Sequence, residues 1–142
     1  MVRTIRARAR QMSGERGQAI VEFALVLPLL LVLMLGVVFV AEIGVARLAL
    51  EHAAAEAART GSLTNDDDLV RSTAAAAVTP LDPASVKVII EPTQNEGLRS
   101  SAPRGSLIHV RLRYALPIPL GFVGLPRLMV EGSAVRRVEW TP

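Results

Sequence analysis

The chain contains no cysteine. A disulfide framework and any thiolate metal site are therefore excluded. Histidine is nearly as scarce: only His52 and His109 occur. No G-x-S-x-G, H-E-x-x-H, P-loop or dinucleotide fingerprint is present, so the residue spacings that nucleophilic, zinc-dependent or nucleotide chemistry requires are missing. No catalytic, cofactor-binding or metal residue is assigned, no cofactor is expected, and the chain is read as a non-enzyme. Charge is missing from one region altogether. From Phe23 to Ala41, nineteen consecutive residues carry no charged or strongly polar side chain.

That run is the dominant feature of the sequence. At about 1.5 Å per residue, a helix of this length extends about 28 Å, close to the hydrocarbon thickness of a bilayer. A secretory signal is the alternative, but its apolar region is typically shorter, about 7–15 residues. The best downstream small-residue site, Gly44-Val45-Ala46, is followed by Arg47. Residues 18–41 are thus read as a retained transmembrane helix. Pro28 lies one turn inside it and is expected to kink it, because the ring supplies no N–H and crowds the carbonyl of Ala24. Glu22 sits at the edge of the run. An ionisable group there is costly, which marks it as a functional candidate; an interfacial carboxylate beside Arg16 is the plainer reading.

Charge is distributed unevenly around the span. Residues 1–17 hold Arg3, Arg6, Arg8, Arg10 and Arg16 against Glu15, a net of +4. Residues 42–68 hold six acids against Arg47 and Arg59, a net of −4. Arginines this close to a membrane segment remain cytoplasmic. The expected topology is single-pass in the cell membrane, with a basic cytoplasmic leader (1–17) and an extracytoplasmic C-terminal domain. The same reading explains the basic pI without nucleic acid as a partner.

Beyond the span, residues 42–60 are rich in Ala, Leu, Glu and Arg, all good helix formers. At 100° per residue, Ile43, Ala46, Leu50, Ala53, Ala54 and Ala57 fall in one apolar sector. The transmembrane helix is therefore expected to continue to residue 60 and to end at Gly61. Thr64 and Asp67 have capping-box spacing, and Asp66–Asp68 suit the first turn of a second helix over about 65–78. Acids at a helix start are preferred here to a cation site. Residues 86–90 and 108–116 alternate with period two, and 127–140 do so imperfectly, with Gly132 expected to mark a bulge. The loop 92–106 is polar and rich in Gly, Pro and Ser, and is read as flexible. The linker 117–126 is apolar, with three Pro and two Gly, and is read as a crossing loop. The expected fold is α+β: a long N-terminal helix, then a small domain (61–142) with a second short helix and a three-stranded antiparallel sheet. One sheet face should expose His109, Arg111 and Arg113, with Arg136 beside them; a solvated basic face is the preferred reading, and a face that binds an acidic partner the alternative.

One short pattern carries a mechanism. Gly17 follows the arginine leader, four residues intervene (Gln18 to Val21), and Glu22-Phe23 opens the apolar run. This resembles a class III prepilin cleavage site, cut between Gly17 and Gln18. The wider stretch, RGQAIVEFALVLPLLL followed by an Ala-rich segment over Ala53 to Arg59, resembles the TadE-like family of tight-adherence pilus pseudopilins. The C-terminal GSAVRRVE at 132–139 resembles the family's last strand. The resemblance implies processing by a prepilin peptidase, with Glu22 as the assembly carboxylate that neutralises the new N-terminus of a neighbouring subunit. It implies a minor pilin role in biogenesis of a Flp-type (type IV-like) pilus or related secretion apparatus. Membrane lipid, the peptidase, other pilins and the assembly machinery would be the partners. The alternative is an unprocessed, signal-anchored envelope protein whose extracytoplasmic domain binds a protein or an anionic ligand.

Overall fold

A computed structural model of the chain describes residues 2–117 and 127–141, with side chains from residue 17. The elements run α1 (Val2–Thr64), α2 (Asp67–Ala77), β1 (Val86–Glu91), α3 (Gly97–Ser101), β2 (Leu107–Leu116) and β3 (Leu128–Arg137), with a 3-10 turn at Pro83–Ser85. The fold is α+β, as expected. The chain divides into two compact units, residues 1–40 and 41–142, with the division inside α1. The linker expected to cross between the last two strands lies, apart from Pro117, outside the described residues.

In the first unit α1 continues through Pro28 without interruption. Its apolar side chains are largely exposed among the described residues. Leu29 is 71% exposed and Leu35 39% exposed, and Phe39 alone among the large apolar side chains of 23–40 is half-buried. Burying one Val, Leu or Phe side chain is worth about 1.5–3 kcal/mol. A helix presenting this many in all directions is matched to a lipid surrounding, not to water. Among the described residues this is the one helix long and apolar enough to cross a membrane.

In the second unit the small residues of α1 form the seam of a core. Ala46, Leu50, Ala53, Ala54, Ala57 and Ala58 are buried, while Arg47, Glu51 and His52 are exposed. Val70, Ala74 and Val78 from α2 complete the helical side, and Ile90, Ile108, Val110, Leu112, Leu116 and Val130 complete the sheet side. The sheet is an antiparallel meander in the order β1-β2-β3.

Four local expectations are corrected. Gly61 does not end α1, which runs on to Thr64. Its missing side chain instead clears space: a Cβ there would collide with Ile108 Cδ1 and lie 2.8 Å from Val70 Cγ2. Gly132 marks no bulge. It pairs in register with Leu112, and a Cβ there would lie 2.5 Å from the backbone N of Glu51 and the carbonyl carbon of Leu50. Both glycines are points of close helix–sheet approach. The cap of α2 is Asp66, whose Oδ1 accepts from the N–H of Asp68 at 2.8 Å and of Leu69 at 3.3 Å. Thr64 remains in α1, its hydroxyl donating to the Thr60 carbonyl at 2.9 Å. Finally, the loop read as flexible contains α3 and is tied down through a buried arginine described below.

Candidate functional site

The N-terminal motif lies on one continuous helix, so its geometry follows from helical spacing. Gln18 and Glu22 are four residues apart and share a face. The Gln18 amide Nε2 donates to Glu22 Oε1 at 2.9 Å. Gly17, Gln18, Glu22 and Phe23 are all exposed, and Phe23 leads the exposed apolar surface. Nothing in the described residues approaches within 4 Å of where a Gly17 side chain would be. The bond between Gly17 and Gln18 is thus flanked by a small residue and an uncrowded surface. The carboxylate one turn further on has an intrahelical amide partner and no cation bonded to it among the described residues.

The second expected site is the outer sheet face. Register places Lys87, Ile89 and Glu91 of β1 beside Arg113, Arg111 and His109 of β2, and beyond those Glu131, Ser133 and Val135 of β3. His109, Arg111 and Arg113 do share one face. Both arginines are paired, however. Arg111 Nη2 lies 3.2 Å from Glu91 Oε2 and its Nε 3.5 Å from Glu131 Oε1, while Arg113 Nε lies 2.8 Å from Glu131 Oε2. Arg111 bridges carboxylates on both edge strands. These half-exposed pairs add little stability, about 0–1 kcal/mol each, but Glu91 and Glu131 offset the formal charge of the two guanidiniums. Arg136 is not part of it: it pairs with Ile108, on the opposite face. There it lines a cleft of about 460 Å³ with Glu56, Arg59, Ser62 and Glu139.

The acidic turn between α1 and α2 holds the arrangement that sequence reading missed. Asn65 takes a left-handed conformation, φ 51°, and its N–H closes α1 on the Gly61 carbonyl at 3.0 Å. Its side-chain amide meets Arg99 twice: Asn65 Nδ2 donates to the Arg99 carbonyl at 3.1 Å, and Arg99 Nε donates to Asn65 Oδ1 at 3.0 Å. Arg99 is fully buried. Its Nη1 donates to the Pro92 carbonyl at 2.6 Å and lies 2.8 Å from Asp67 Oδ1. That last contact is a charge pair without hydrogen-bond alignment, because Oδ1 accepts no aligned bond. Asp67 and Gln94 exchange two further bonds, Asp67 N–H to Gln94 Oε1 at 2.9 Å and Gln94 N–H to Asp67 Oδ2 at 3.0 Å. Asp66 is therefore occupied by capping and Asp67 by Arg99 and Gln94, and among the described residues no cluster of three or more His, Asp or Glu is placed to hold a metal ion. No local pattern marks Arg99. Its acidic partner is 32 residues away in the chain, and its own neighbourhood is a polar loop.

Residues 17–59 match a family model described as TadE-like protein. No curated protein and no solved structure matches the chain. The matched segment begins at the glycine of the motif and ends within the buried Ala-rich stripe of α1. It thus takes in the apolar span and the seam of the small domain, and leaves out the sheet.

Proposed function

We propose that the chain is a minor pilin, or pseudopilin, serving biogenesis of a tight-adherence (Flp-type) pilus or a related secretion apparatus. One observation carries the reading. The segment that matches the TadE-like model contains the apolar span, whose side chains are largely exposed among the described residues, and it opens on Gly17-Gln18 and Glu22-Phe23. In this reading residues 1–17 are a cytoplasmic leader removed by a prepilin peptidase, and 18–41 rest in the bilayer. Residues 42–60 carry the helix onward, and 61–142 form an extracytoplasmic domain. The chain has no catalytic role of its own.

The physical logic is an exchange of surroundings. In lipid the exposed Leu and Val surface is satisfied by acyl chains. In an assembly it is satisfied by other helices, and packing and polar contacts tip the balance, because lipid is as apolar as leucine. Glu22 makes that balance specific. A carboxylate at the membrane edge is costly unless paired. Cutting after Gly17 creates a free amine on Gln18, and such an amine on a neighbouring copy is the natural counter-charge. The alternative, an uncut anchor whose domain binds an anionic ligand through Arg111 and Arg113, has less support, since Glu91 and Glu131 already engage both guanidiniums.

Mass spectrometry of the chain extracted from membranes that contain a prepilin peptidase tests the proposal. A mature N-terminus at Gln18 is expected, and an intact leader overturns the processing step. Glu22→Ala is expected to leave the cut in place and to abolish recovery of the chain with assembled pili.

A further inference from the structure

We propose that Gln18, once it becomes the first residue of the cut chain, is a site of cyclisation to pyroglutamate, and that Glu22 holds this reaction in check. The inference rests on the proposed cut after Gly17. In the uncut chain the Gln18 nitrogen is an acylated peptide nitrogen and cannot react. After the cut it is a primary amine four bonds from its own amide carbon Cδ, so that a new N–Cδ bond closes a five-membered lactam. The amine nitrogen attacks Cδ, the N–Cδ bond forms and the Cδ–Nε2 bond breaks. A proton from the amine passes to Nε2, which leaves as ammonia. Nothing is oxidised or reduced, and no second reactant is needed.

The observed geometry bears on this step directly. Gln18 Nε2 donates to Glu22 Oε1 at 2.9 Å. That bond draws the amide one turn toward the helix C-terminus, away from the Gln18 backbone nitrogen. The same carboxylate favours the protonated form of a nearby amine, and an ammonium has no lone pair with which to attack. Both effects oppose closure. Gln18 is exposed, so no packed neighbour adds a further restraint.

Closure has a consequence for the assembly. The lactam is neutral, so the charge that would pair with Glu22 of a neighbouring copy is lost. A cut chain is then competent for a limited time, and Glu22 sets how long. Chains that assemble early keep the ammonium; chains that wait in the bilayer lose it.

The test uses the full chain cut by a prepilin peptidase in membranes, extracted in detergent and followed over time by intact mass and N-terminal sequencing. The cut wild-type chain is expected to gain a fraction lighter by one ammonia, blocked to sequencing and reopened by pyroglutamyl aminopeptidase. Glu22→Ala should raise that fraction several-fold at equal times. Gln18→Asn, which keeps a primary amide but cannot form a five-membered lactam, should retain full mass. Raising the pH past the ordinary α-amine pKa of about 8 frees the amine, and must speed closure of the cut wild-type chain without recourse to any variant. A cut chain whose amine stays free under all these conditions overturns the inference and leaves the cut standing. An intact leader removes both.

Discussion

Gly132 and Gly61 show how much a single absent methyl group decides in this domain. Gly132 faces the Leu50–Glu51 peptide, and backbone cannot step aside for a Cβ 2.5 Å away. Gly61 faces the ends of Ile108 and Val70, which are side chains able to change rotamer. Gly132→Ala is therefore expected to destabilise the domain by about 1–3 kcal/mol through overpacking. Gly61→Ala should cost less, because the gain in helix propensity, about 1 kcal/mol, offsets part of the strain. Denaturant unfolding of the detergent-solubilised protein, followed by circular dichroism, checks the order; equal losses would refute it. Arg99 is the other decisive residue. Replacing it with Met leaves Asp67 buried without its cation, a loss of about 3–5 kcal/mol. Adding Asp67→Asn should recover part of that loss, since the stranded charge is then gone. A double variant no more stable than Arg99→Met would show that the pair is not what holds the loop.

At the scale of the element, α1 performs two tasks with two kinds of surface. Through residues 23–40 it is apolar all round and largely exposed, which is how a helix reads when its solvent is lipid. Through 46–58 it narrows to a stripe of alanines with Leu50, which allows a sheet to come close enough for glycine to be required at the crossing. One charge tests the first surface. Leu33→Arg costs about 2.5–3.5 kcal/mol at a span centre by insertion measurements, and is expected to move the protein from the membrane to the soluble or degraded fraction. Unchanged membrane recovery would count against a span centred there. The sheet resolves its own charge differently. Arg111 and Arg113 could not be known from alternation to be paired, because Glu91 and Glu131 come from other strands, and only register brings the four together.

At the scale of the whole molecule, the proposed orientation follows from the arginines before the span and the acids after it. Replacing Arg3, Arg6, Arg8, Arg10 and Arg16 with Gln removes the cytoplasmic bias. The variant is expected to show mixed topology, read as partial loss of protease accessibility of the C-terminal domain in spheroplasts. A fully retained orientation would mean that the downstream segment, not the leader, sets the topology.

The apolar span, the continuation of the helix beyond it, the second helix and the three strands were all legible from residue order, because each rests on periodicity or length within one local segment. The Gly17–Glu22 motif was legible for the same reason: four residues on a helix are always neighbours, and the Gln18–Glu22 bond needs no tertiary fold. What order alone could not decide was every feature that depends on a partner distant in the chain. Gly61 looked like a stop and Gly132 like a bulge, because a missing side chain has the same local appearance whether it frees a turn or admits a neighbour. The loop holding Arg99 looked loose because its anchors are Asn65 and Asp67, across another helix and a strand. The apolar run of residues 23–41 thus owes its character to composition alone. The face that the same helix turns to the sheet, and the arginine that locks the turn at its end, were decided only when packing brought distant residues within contact distance.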